Sequence, residues 1–444
     1  MIISIVILVL ILTALVKLPY YRVGEIHNFV MPVIFLFKVV CSSFVWWYFY
    51  TKPGYGTESD LYQFYNAANE LQKKLPWIEE LKVTFGLPVS KIYQSTIQNT
   101  PFWNKLYDYG FVNDNRIMIR LNLLLNWLVG NSFFSHSLLF LFLGFNGSFF
   151  FVQMIQRFKT VRLIPDVATL FLLPSTLIWT GGMFKESVLL FTLGGLISFF
   201  VKVYKHPKRM MDFFWLVIFA FLLLQTKPLY SILFLYTCIC LILHSRLNFR
   251  RFEFSYLLIF FIPIALIVSL NSNNSKSMND KLIKDGRQFH LAFMLKNKQE
   301  DFNYDVALFK PKTVIPISSI DGTYVSVLKS IPTSVKNIML VPIILAFEKW
   351  EMIPFALEML LLLALILLSF LFPSKDKTNL KHLFYSFVIP AILCFLFLGL
   401  TVPIAGLIVK YSSPIMPILF VFVSASIEWE KVKFTLKNKL VRSK

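Results

Sequence analysis

Charge is scarce in this chain, and acid is the scarcer half of it. Only 15% of the 444 residues are charged, against about 25% in soluble domains, and 24 Asp and Glu face 44 Lys and Arg. An ordinary water-soluble domain, which needs a charged surface, is excluded. Cysteine is nearly absent too. The four that occur, Cys41, Cys238, Cys240 and Cys394, all fall inside apolar runs, which excludes a disulfide framework and offers no metal-ligand spacing. The six histidines (His27, His136, His206, His244, His290 and His382) are scattered. No internal repeat occurs, so a solenoid is excluded. The short alternating segments of barrel strands are missing as well.

What is abundant is apolar surface: 57% hydrophobic residues, 17% aromatic residues and a mean hydropathy of +0.65. Runs near the length that crosses a hydrocarbon core of about 30 Å recur from end to end. The pattern predicts an all-α fold, a polytopic membrane helix bundle of about 11 transmembrane helices with two large outer loops. The expected spans are 2–17, 28–50, 134–156, 164–180, 185–203, 211–225, 228–245, 254–270, 353–372, 382–400 and 412–428. The first run, IISIVILVLILTALV, has no basic residue before it and no small-residue cleavage site after it. It reads as a retained helix and not a removed signal peptide.

The formal charge of +20 invites a nucleic-acid reading, but its distribution points to topology. Alternate short connections and the tail hold 21 Lys and Arg against seven Asp and Glu; the two long connections hold 19 against 15. Short, strongly basic loops mark the cytoplasmic side. The chain is therefore expected in the cytoplasmic membrane with its N-terminus outside, its C-terminus inside and membrane lipid, not nucleic acid, around it. It reads as one integral membrane domain, 1–444, with outer loops at 51–133 and 271–352. In the first loop, Ile117–Trp127 alternates apolar residues with Arg120, Asn122 and Asn126 and suits the interface plane. In the second, NIMLVPIILAFEKW (Asn337–Trp350) is expected to be interfacial or re-entrant.

Three places draw attention. Asp60, in ESDLYQFYNAANEL, lies just past the second span, where a carboxylate can act as a general base or Ser59 or Asp60 can simply cap a helix. In LPSTLIWTGGMFKESVLLF, Trp179 suits an interfacial belt, Gly181-Gly182 allows a turn, and Lys185-Glu186 begins the next span. Glu186 complements the helix dipole there, but Lys185 at the positive end needs an anion nearby. Lys410-Tyr411, in GLIVKYSSPIMPILF, is expected at the outer entry of the last span. Lys227 is a further outer cation, and Lys38 and Glu358 lie in apolar runs where ionisable groups usually face a cavity.

An acid in the first outer loop, a P-S-x-x-x-W-x-x-G-x-x-K-E segment and a final K-Y-x-x-P-x-x-P resemble the membrane-integral GT-C glycosyltransferases, which include protein O-mannosyltransferases, aminoarabinose transferases and bacterial cell-envelope relatives. The motifs cover three short stretches, and the fold would then be GT-C-like. The resemblance implies transfer of a sugar from a polyprenyl-phosphate carrier to a glycan, lipid or protein acceptor outside the cytoplasmic membrane. It implies Asp60 as base, with Glu58 as the neighbouring acid, and Lys185, Lys410 and Arg116 or Arg120 as phosphate ligands; no cofactor is certain and a divalent metal stays open. The family often pairs its first-loop acids, whereas Ser59 separates Glu58 from Asp60, and often carries Arg where this chain has Lys410. Two rivals remain: an O-antigen-type polysaccharide polymerase using Arg116, Arg120 and Arg287, and a lipid-linked glycan flippase. Transport would call for paired midplane breaks, whereas the breaks fall at outer ends.

Overall fold

The computed structural model describes residues 2–24, 26–51, 59–104, 113–156, 166–167, 169–247, 256–263, 291–374 and 379–442. Helices make up the fold; among the described residues the only β pairing is isolated bridges. Six described helices are long and apolar enough to cross a membrane: Val30–Thr51, Phe133–Gln156, Lys185–Lys205, Pro228–Leu247, Tyr324–Ala346 and Trp350–Leu371. A pair bent by 65°, Ala405–Ser412 with Met416–Ala425, makes up to seven if it counts as one span. Three more apolar helices, Ile2–Lys17, Met210–Thr226 and Ser386–Thr401, are shorter. This is a polytopic helical membrane protein.

Two expected spans come out differently. The run 164–180 holds no continuous helix among its described residues: Thr169–Phe171 ends before Pro174, which starts the short helix Pro174–Trp179. Proline lacks the N–H that would continue a helix and pushes the residue before it out of helical geometry. The expected last span, 412–428, is broken at its start: Ser413–Ile415 separates the helices Ala405–Ser412 and Met416–Ala425 around Pro414. In the second large loop, the apolar helix begins at Tyr324, well before the expected Asn337. Its Ser, Thr and Lys residues masked it in a hydropathy reading. Of the expected span 254–270, residues 256–263 are described and are helical.

The chain divides into two compact units, Met1–Ile232 and Leu233–Lys444. In the first we number the helices α1 (Ile2–Lys17), α2 (Val30–Thr51), α3 (Asp60–Lys74), α4 (Trp77–Phe85), α5 (Lys91–Gln98), α6 (Asp114–Val129), α7 (Phe133–Gln156), α8 (Thr169–Phe171), α9 (Pro174–Trp179), α10 (Lys185–Lys205), α11 (Met210–Thr226) and α12 (Pro228–Leu247, which ends in the second unit). Its centre is the α7–α10 pair. A Cβ on Gly147 would lie 2.5 Å from the main chain of Leu190, and one on Gly194 would overlap the carbonyl oxygen of Gly147. Small residues let membrane helices bring their backbones together, and dispersion then replaces the hydrophobic drive that lipid cannot supply. Across α10, Phe150, Phe191, Phe199 and Phe219 form a ring cluster with α11.

The second unit is organised around the helices Tyr324–Met339 and Asn379–Thr401. Ser334 donates to the carbonyl of Leu396 at 2.7 Å, opposite Gly399, where a Cβ would meet the Ser334 hydroxyl. Gln299 ties the helix Leu291–Phe309 to this pair. Its amide donates to the carbonyls of Ser318 and Leu400 and accepts from the Ile320 N–H. A buried amide with its bonds made fixes one arrangement of the chain; removing it would strand three backbone groups.

Candidate functional site

The break at Thr180-Gly181-Gly182 is shaped by one face of α2. Lys38, Ser42 and Trp46 recur every fourth residue and therefore line one side of that helix. Lys38, fully buried, donates to the Thr180 hydroxyl at 2.7 Å, and the Trp46 indole donates to the Gly181 carbonyl at 2.7 Å. A Cβ on Gly181 would overlap the Ser42 hydroxyl, and one on Gly182 would sit 2.5 Å from the Trp46 nitrogen. The two glycines are thus there for close approach. Ser187 closes the turn by donating to the Gly182 carbonyl at 2.7 Å, and Lys185 becomes the first residue of α10. Trp179 packs its ring between Phe49 and Phe184 beside the same turn. Glu186 is fully buried in the first turn of α10.

A lysine at a helix N-terminus faces the positive end of the dipole, and the anion that resolves the conflict comes from α6. Asp114 lies 3.1 Å from Lys185 and 3.1 Å from Lys227, its own side chain only 5% exposed. Lys185 also donates to the Asn115 side-chain oxygen at 2.6 Å. Two ammonium groups therefore share one buried carboxylate. Lys227 stands at the corner between α11 and α12, so the cluster joins three stretches of chain far apart in sequence.

The start of α6 is tightly specified. The Asn113 side chain caps it by accepting the Asn115 N–H and donates to the Trp103 carbonyl at 2.8 Å. Asn115 donates to the Phe102 carbonyl. Arg116 donates to the Trp103 carbonyl and, at 2.8 Å, to Asn104. Arg116 and Arg120, one turn apart, place their guanidinium carbons 5.6 and 5.7 Å from the centre of the Trp103 ring. Burial, reinforced by the Arg116 charge, pulls the Arg120 pKa below its ordinary value. The apolar side chains Met118, Ile119 and Leu123 of α6 are buried, and α6 packs on α3, α4, α7 and α11. This face of α6 is covered by protein, while Trp127, at the end of the segment expected in the interface plane, stays exposed.

Asp60 is the first residue of α3 and is exposed. Ser59 takes the cap position, with its carbonyl accepting the N–H groups of Tyr62 and Gln63. One turn after Asp60, the Phe64 ring centre lies 5.1 Å from the Lys185 ammonium. Asp60, Lys185, Arg116, Arg120 and Trp179 all belong to the first unit. Lys410 and Tyr411 belong to the second, and Tyr411 packs against Phe302. Lys410 is buried in the last turn of the helix Ala405–Ser412. It sits at a helix exit, not the expected entry, because Pro414 ends the helix just beyond it. Glu58 and Arg287 lie outside the described residues. Glu358 is buried on the helix Ile353–Leu371.

Asp114 was missed by sequence reasoning. Its local signature, an Asn cap followed by an acid in NDNR, marks a helix start and nothing more. Nothing in that signature points to Lys185 or Lys227. Among the described residues no three His, Cys, Asp or Glu side chains gather to hold a metal. Compared with family models, with curated proteins and with solved structures, the chain gives no match.

Proposed function

We propose that this protein transfers a sugar from a polyprenyl-phosphate carrier to a glycan, lipid or protein acceptor at the outer face of the cytoplasmic membrane. The observation that carries the reading is the Lys185 ammonium resting on Phe64, one turn from Asp60 on the same helix. A candidate base and a candidate phosphate ligand thereby come from elements in contact. In this reading Asp60 takes the proton of the acceptor. Lys185 and Lys227, preset by Asp114, meet the carrier's phosphate. A preset ammonium loses little side-chain freedom when an anion arrives, which favours binding.

The test is Asp60→Asn in vesicles supplied with polyprenyl-phosphate-linked sugars. Asn keeps the shape and the helix-start preference of Asp but cannot accept the proton. Transfer should fall about 10²–10⁴-fold, the usual contribution of a positioned base, while the protein accumulates normally. Full activity of the variant rejects the assignment.

A second reading, polymerisation of lipid-linked oligosaccharides, is favoured by Arg116 and Arg120 against the single Trp103 ring. Product length separates the two: one added sugar per acceptor supports transfer, and a ladder of repeat units that collapses in Arg120→Gln supports polymerisation.

A further inference from the structure

Helix α4 is inside out. Its acids Glu79 and Glu80 are buried with Val83 and Thr84, while Trp77 and Phe85 are 69% and 61% exposed and Ile78 is exposed beside them. A helix on a water-facing surface has the opposite arrangement, with apolar residues inward and charge outward. The inversion continues past the helix end, where Leu87 is exposed and Ile92 is 80% exposed.

Both buried acids are hydrogen-bonded, so the inversion is built and not incidental. Glu79 accepts from Lys82 at 2.8 Å, from the Ser90 N–H at 3.0 Å and from the Ser90 hydroxyl at 2.5 Å. Glu80 accepts from the Trp127 indole at 2.6 Å. These bonds fix which face of α4 turns outward. Gly86, at φ +70°, ends the helix in the left-handed region that favours glycine and lies against the Arg120 guanidinium.

Trp127 also fixes where the outward face lies. It sits near the end of α6, six residues before α7, a helix long and apolar enough to span the membrane, begins at Phe133. Leu128 and Phe134 around that junction are exposed as well. The exposed apolar surface of α4 is thus tied to the place where the chain enters the bilayer. We propose that Trp77, Ile78, Phe85, Leu87 and Ile92 form a monotopic contact that lies in the lipid surface beside the end of α7. Apolar residues on one face of an interfacial helix settle at the boundary of headgroups and acyl chains, and tryptophan is enriched at that level. This inference holds whether or not the protein transfers sugar.

The experiment places a bimane fluorophore on Phe85→Cys, on Ile92→Cys and, as a reference, on Lys74→Cys at the exposed end of α3. The partly exposed Cys41 is replaced by Ser, and the buried cysteines are retained. Each variant is reconstituted in phosphatidylcholine–phosphatidylglycerol vesicles with and without nitroxide-labelled lipid. A probe at the depth of an interfacial helix should lose roughly half of its intensity or more to nitroxide lipid and stay shielded from aqueous iodide. Lys74→Cys should show the reverse. Iodide quenching at 85 and 92 equal to that at 74 overturns the proposal. Protection from both quenchers also overturns it, since a second copy or another protein would then cover the face. Circular dichroism checks folding, and if Phe85→Cys unfolds, Ile92→Cys, at the more exposed position, gives the same reading.

Discussion

Lys185 and Lys410 look alike in the sequence, each a lone cation beside a break in an apolar run, yet their surroundings differ. Lys185 opens a helix, against the dipole, and is held by Asp114 from a helix some 70 residues earlier. Lys410 stands in the last turn of its helix, where the carbonyl ends of the peptide units already favour a cation. The helix dipole opposes the first and favours the second. A lysine beside a break therefore says little until the direction of the helix is known.

The surroundings of Lys185 depend first on Asp114. Asp114→Ala would leave Lys185 and Lys227 without their shared carboxylate. Removing one member of a buried pair costs about 3–5 kcal/mol; because the two lysines are partly exposed, a loss of about 2–4 kcal/mol is expected in detergent unfolding. A loss below about 1 kcal/mol would mean that Lys185 tolerates its helix entry without the carboxylate.

Lys410→Met sharpens the contrast from the other side. Removing a cation from a last turn forfeits about 0.3–1 kcal/mol of dipole stabilisation, so the variant should unfold at least that much more readily than the parent. A variant as stable as the parent would show that the last-turn dipole does not hold Lys410.

Acid gives a third, smaller test, because Glu79 is a carboxylate held by groups from its own stretch of chain, Lys82 and Ser90. Its bond with the Lys82 ammonium, followed by those with Ser90, holds its pKa down to about 2 from an ordinary 4.5. A carboxyl whose folded pKa is depressed stabilises the fold above its unfolded pKa and loses that contribution as pH falls through the folded value. Thermal stability should therefore decline between about pH 4.5 and 2 by more in the parent than in Glu79→Gln. Equal slopes would show that ionised Glu79 is not stabilising.

Much of the bundle was legible because hydropathy and helix length are local properties. The start of α10 at Lys185 and the turn at Gly181-Gly182 followed from a few residues in a row. The break inside 164–180 was harder to see, because Pro174 sits in a run whose composition is otherwise that of a span. The tertiary anion of Lys185 was out of reach, since nothing near Asp114 in the sequence points to a lysine 71 positions on. The inverted polarity of α4 was hidden for a related reason. Nothing in the sequence around Glu79 and Glu80 points to Ser90 or Trp127, whose bonds hold them inward.

Gly147 and Gly194 each give their side-chain space to the main chain of the facing helix, and this bears on how the chain can vary. A methyl group on Gly147 meets the main chain of Leu190 and Phe191, and one on Gly194 meets the main chain of Gly147, so no movable side chain can give way. No compensating exchange of side-chain volume exists, so each position is bound to stay glycine while the two helices keep this approach. Chains that share this bundle are expected to retain both glycines even where the residues around Asp114 have been replaced. The pair would then report common architecture separately from common chemistry.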